Sequence, residues 1–121
     1  MVGSAWAIEY YVDDDGTAPV REFIVSLDPK TRVRLQWSLD QLQARNIMAR
    51  APLAKHLDGK LWELREESRT NIYRVLYFMH TGRRIVLLHA FQKKTQKAPA
   101  GEIALANKRM NRFIERRGGE T

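Results

Sequence analysis

The chain has 121 residues, 44% of them apolar, and its 21 Lys and Arg against 14 Asp and Glu give a formal net charge of +7. That length suits one domain over residues 1–121, and the apolar content is enough for a core, which excludes a disordered chain. With no cysteine, a disulfide framework, a thiolate zinc site and a cysteine nucleophile are excluded, while the positive charge points to a polyanionic or acidic partner.

Residues 6–12, WAIEYYV, are rich in aromatic and β-branched types and predict a first strand. Asp13, Asp14, Asp15 and Gly16 stop it. Three successive carboxylates suggest a cation site, but a calcium loop needs alternating ligands and a distal Glu, so a solvated turn is expected. Pro19 opens a helix whose Val20, Phe23, Ile24 and Leu27 share one face. Asp28 and Pro29 break it and start a second helix to about residue 44, with Leu35, Leu39 and Leu42 as its stripe and Trp37 at the margin. Neither helix buries its stripe alone, so the hairpin is expected to lie across a sheet. Residues 46–59 are expected to be a connection, whose cations Arg45, Arg50, Lys55, His56 and Lys60 border the strands that follow.

Residues 61–66 predict a second strand, with Trp62 and Leu64 on one face and Glu63 and Arg65 on the other. After a polar turn over residues 67–71, residues 72–79 are apolar on both faces, as in the middle of a sheet, with Arg74 as their one charge. Thr81 and Gly82 make a hairpin turn into residues 84–91, where simple alternation puts Ile85, Leu87, His89 and Phe91 on one face. A basic run follows, with Lys93, Lys94 and Lys97. Pro99 starts a last helix with Ile103, Ala106, Met110, Phe113 and Ile114 on one side and Lys108, Arg109, Arg112, Arg116 and Arg117 on the other. Gly118 and Gly119 end it, and the last residues are expected to be disordered. No signal peptide is expected from the first residues, and no apolar run approaches the ~20 residues of a membrane span.

No HExxH, glycine-rich phosphate loop or paired-carboxylate strand occurs, and His56, His80 and His89 have no metal-site spacing. What remains is an acid–base and electrostatic set. RNA carries its own nucleophile, the 2′-hydroxyl, so an enzyme needs only to take that proton, stabilise the phosphorane-like anion and protonate the leaving 5′-oxygen. Arg matches two phosphate oxygens. A Lys among cations, or a His, handles protons near neutral pH. Arg65, Arg74, His89, Lys93 and Lys94 contain all of these types. Each also has a plainer reading. Arg65 pairs with Glu63 or Glu66, Arg74 is either ion-paired or faces a site, and His89 is a hydrogen-bonded core residue. The lysines form a solvated run, and Tyr73 and Tyr77 pack in the core rather than stack on bases.

The segments LWELR, YRVLY, GRRIVLLHAFQKKTQKAP and EIALANKR resemble the phage Gp49-like, HigB-type branch of the RelE/ParE toxin superfamily, and the resemblance covers roughly residues 6–112. It implies an α+β, RelE-like fold: N-terminal strand, helical hairpin, three-stranded antiparallel continuation of the sheet, C-terminal helix. It also implies a cytoplasmic toxin of a type II toxin–antitoxin pair that cleaves mRNA on the translating ribosome. No metal and no small-molecule cofactor is implied. The partners would be the ribosome, mRNA and a cognate antitoxin, usually a helix-turn-helix repressor. By position, Arg65 and Arg74 look like the family's phosphate-binding or transition-state residues, Lys93 and Lys94 like its further catalytic cations, and His89 like a looser match. Lys60, Lys97 and Tyr77 would border the substrate. The family's Lys-Thr-Pro before the last helix is Lys97-Ala98-Pro99 here, which removes a capping hydroxyl. ParE-type relatives poison DNA gyrase instead. A non-catalytic nucleic-acid- or protein-binding scaffold is the third alternative.

Overall fold

In the computed structural model, residues 5–68, 71–93 and 99–117 are described, Lys93 by its backbone only. The elements run β1 (Ala7–Tyr10), α1 (Pro19–Ser26), α2 (Pro29–Arg45), a 3-10 turn (Asn46–Met48), β2 (Ala54–Asp58), β3 (Leu61–Glu67), β4 (Ile72–His80), β5 (Arg84–Lys93) and α3 (Ala100–Arg116). The fold is α+β, with the strands in one sheet of order β1-β5-β4-β3-β2. β2 to β5 form an antiparallel meander, and β1 joins its far edge parallel to β5.

The two helices of the hairpin form where the punctuation predicts. Pro19 and Pro29 occupy first-turn positions, and the Asp28 side chain accepts the Thr31 backbone N–H. The Thr31 hydroxyl, and then that backbone bond, hold the Asp28 carboxyl below its usual range. Asn46 ends α2 in the left-handed region at φ 42°, which Asn tolerates better than most residues. The hairpin buries Val20, Ile24, Leu35, Leu39 and Leu42 against Leu64, Val75, Tyr77, Ile85 and Leu87 of the sheet. On the other sheet face α3 buries Ala106, Met110 and Phe113 against Leu61, Leu76, Phe78, Val86 and Leu88. β4 is therefore covered on both sides, as its apolar sequence requires.

Two features depart from the alternation read in the sequence. Residues 54–58 form the edge strand β2 rather than a connection. Lys55 and His56 are exposed and only Ala54 is buried, which is a weak apolar signal but a normal one for a sheet edge. In β5, Tyr77 pairs with Leu87 whereas Leu76 pairs with His89, so Leu88 is the extra residue of a β-bulge. The bulge moves His89 and Phe91 from the face of Ile85 and Leu87 to the face that carries α3.

The acidic turn is an anchor for α3: Asp14 accepts hydrogen bonds from Arg112 and Arg116. The Arg116 contact and then the Arg112 contact keep its carboxyl below the usual range. Among the described residues no helix is long and apolar enough to cross a membrane. The expectation of disorder at the last residues falls outside the described residues.

Leu39→Ala should lower the unfolding free energy in urea by roughly 2–5 kcal/mol, because Leu39 is fully buried between hairpin and sheet. Val25→Ala, at an exposed position of α1, should change it by no more than about 0.5 kcal/mol.

Candidate functional site

The pleat of β3 puts Leu61, Glu63, Arg65 and Glu67 on the α3 side of the sheet. Arg65 stands directly opposite Arg74 of β4, and Arg74 opposite Phe91 of β5; one step along, Glu63, Leu76 and His89 form the next row. Two guanidinium groups facing each other across strands repel. Glu63 resolves the conflict. Its Oε2 takes a hydrogen bond from Arg74 Nη1 at 2.6 Å, and its Oε1 lies 3.7 Å from Arg65 Nη2. On its outer side Arg65 meets Glu67 at 3.5 Å. Exposure rises along this chain of charges. The side chains of Arg74 and Glu63 are sealed, Arg65 is 20% exposed and Glu67 is 54% exposed.

Two grooves meet at Arg65. One, of about 420 Å³, lies against α2 and includes Trp37, Arg45, Pro52 and Leu53. The other, of about 250 Å³, runs along the β2 edge and includes Lys55 and Glu63. Both share Pro52, Leu53, Arg65 and Glu67. Arg65 is therefore the predicted site cation that lines an open groove among the described residues.

His89 sits on the same sheet face, stacked on Phe91, but α3 covers it. Its Nε2 is 2.5 Å from Glu102 Oε1, and its Nδ1 is 3.2 Å from Arg109 Nη1. Arginine only donates, so Nδ1 accepts and Nε2 carries the proton that goes to Glu102. Arg109 also donates to the Leu88 carbonyl. This corrects its placement on the solvent side of α3: Glu102 and Arg109 are seven residues apart on one helical face that looks at the bulge.

The other predicted site residues are dispersed. Tyr77 is fully buried on the hairpin side, opposite to Arg65 and Arg74, so no face of its ring is open to a base. Burial raises the pKa of its hydroxyl. Lys60 lies in the turn before β3, about 16 Å along the strand from Arg65. Arg50 folds back on the carbonyls of Ile47 and Ala49, and His56 stands edge-on to Trp62. Lys94 and Lys97 fall outside the described residues. Lys93 extends β5 opposite Ile72, and its side chain is outside the description.

Sequence reasoning missed three participants. Glu63 was legible only as one of two options for Arg65; its burial beside Arg74 needed the strand register. Glu102 and Arg109 had no signal, because the bulge that turns His89 toward them is invisible in alternation. Among the described residues no three His, Asp or Glu side chains converge as a metal site.

A family model described as Phage derived protein Gp49-like (DUF891) matches residues 22–111, which spans both grooves, the Glu63–Arg74 pair and most of α3. No curated protein matches the chain.

Arg74→Ala should destabilise the fold by roughly 3–5 kcal/mol, since it strands the Glu63 carboxylate in the interior. The double variant Glu63→Leu with Arg74→Met should recover most of that loss in urea unfolding, as apolar replacements of a buried pair commonly do.

Proposed function

We propose that this chain, which belongs to the Gp49-like family of phage-derived proteins, a RelE/HigB-type toxin family, is a metal-independent endoribonuclease that cuts mRNA on the translating ribosome. The observation that carries this reading is Arg65. Its guanidinium lies 3.7 Å from the carboxylate of the buried Glu63–Arg74 pair, and the residue borders open grooves. A pre-positioned guanidinium at a surface cleft suits a phosphate whose negative charge grows in the transition state.

In this mechanism Arg65 contacts the scissile phosphate. Arg74 positions Arg65 through Glu63 rather than touching RNA. The 2′-hydroxyl attacks the adjacent phosphorus, the P–O5′ bond breaks, and one proton moves from the 2′-oxygen while another reaches the 5′-oxygen. We assign these transfers to Lys93 and Lys94 ahead of His89, because both ring nitrogens of His89 are engaged by α3. Lys97 and Lys60 are assigned to phosphates farther along the strand. The family is one of toxins with antitoxin partners; a helix-turn-helix antitoxin that covers Arg65 would silence the site. Location in the cytoplasm follows from that target.

The test is expression of the wild type and of Arg65→Ala in growing cells, with mRNA 5′-ends mapped after induction. New ends inside coding regions should appear with the wild type and vanish with the variant. Growth arrest with no new ends would instead point to another target, such as gyrase, and would overturn this reading.

Phosphate must also displace Glu67 from Arg65. That contact is exposed and 3.5 Å long, so it is worth at most about 1 kcal/mol. Glu67→Gln should therefore strengthen binding of the programmed ribosome by up to about fivefold, measured as a lower KM in single-codon cleavage assays, with kcat little changed.

A further inference from the structure

Trp37 is 60% exposed at the middle of α2, although tryptophan is among the residues that gain most from burial. It lines the same groove as Arg65. Pro52 and Leu53 form the groove wall, and their strip continues past Arg65 into the groove along β2. The charges along this path are also ordered. Arg45 lines the same groove as Trp37, two turns further along α2, and Lys55 lies at the far end; neither makes an ion pair among the described residues. The carboxylates in the first groove are already engaged. Glu66 meets Arg34 at 3.2 Å and accepts the Ser38 hydroxyl at 2.6 Å, and Glu67 meets Arg65.

A flat aromatic surface next to cations spaced along a groove is the arrangement that single-stranded nucleic acid uses. Bases stack on the ring without regard to sequence, and phosphates follow the cations. An acidic, apolar protein segment would use the cations but has less need of an open indole face in line with a phosphate-binding Arg. We propose that the path from Trp37 round the β3 edge at Arg65 to Lys55 is the track of the RNA strand, with Trp37 stacking a base on the hairpin side of that edge. Arg45 and Lys55 hold the phosphates on either side. This rests on the endoribonuclease reading for the role of Arg65, but the track itself is a binding claim.

The probe is a 2′-O-methyl oligoribonucleotide, which lacks the free 2′-hydroxyl and stays intact. Titration into the purified full chain should quench tryptophan emission, chiefly that of Trp37, since Trp6 and Trp62 are partly buried. Trp37→Phe should abolish most of the quenching yet keep most of the affinity. Trp37→Ala should weaken binding about tenfold, as expected for the loss of one stacked base. Val33→Ala, exposed one turn away on α2 and outside the groove, should bind like the wild type. Equal urea midpoints would show that each variant is folded.

No quenching of the wild type, or unchanged affinity in Trp37→Ala, overturns the track even where the wild type cuts mRNA in cells. Reduced affinity of Trp37→Ala for the antitoxin, with oligonucleotide binding intact, would identify the groove as a protein-docking surface and likewise overturn it. Quenching without any mRNA cleavage in cells would keep the track and remove the endoribonuclease reading, so the two failures are separable.

Discussion

The Glu63–Arg74 ion pair constrains everything built around it. Both side chains are fully buried, and moving two charges out of water is costly unless each finds the other with good geometry. The 2.6 Å contact meets that condition only in one register of β3 against β4. A slip of one residue would turn Glu63 into the apolar hairpin side and leave Arg74 sealed without its carboxylate. The pair is thus a register lock in the middle of the sheet. Its location two residues from Arg65 along the same strand face means that the lock and the candidate site are one piece of structure.

The second constraint is the bulge at Leu88. Without it, His89 and Phe91 would point at the helical hairpin, away from Glu102 and Arg109. With it, Leu88 still packs under α3 while His89 stands next to it on the same face, within reach of Glu102 and Arg109. Arg109 also donates to the Leu88 carbonyl. At its other end α3 is tied to the acidic turn through Arg112 and Arg116 on Asp14. The helix is therefore seated by an apolar stripe in the middle and oriented by polar contacts at its two ends. This arrangement leaves the Arg65 end of the sheet to the grooves.

Local chemistry made most of the fold readable. Proline at residues 19 and 29, the Asp28 cap and the apolar run of β4 each act within a few residues and appear where the sequence puts them. What escaped depends on partners far along the chain. β2 pairs at an edge, where one buried residue suffices, so its sequence resembles a loop. The bulge depends on how β5 fits β4, and a period of two cannot report it. At the candidate site, the shared strand face of Glu63 and Arg65 was legible, but the burial of Arg74 beside them was a choice between two readings that only packing decides. Tyr77 shows the reverse: a strand tyrosine has the same local sequence whether it faces a ligand or, as here, a core.

The site's electrostatics follow from how unequal its two carboxylates are. Glu63 is inside, where a carboxylate without a partner is costly, so it stays with Arg74 and acts as a fixed support. Glu67 is outside, where water screens it and competes for it, so it is a replaceable occupant of the same guanidinium. The buried Glu63 carboxylate, 3.7 Å from Arg65, stays in place, while the exposed Glu67 carboxylate gives way when an anion arrives. A phosphate offers two oxygens and a charge that grows during reaction, and it outcompetes an exposed carboxylate at that outer side. The inner side does not move, because moving it would unlock the sheet. Arg65 can thus exchange partners without any rearrangement of the strands that carry it.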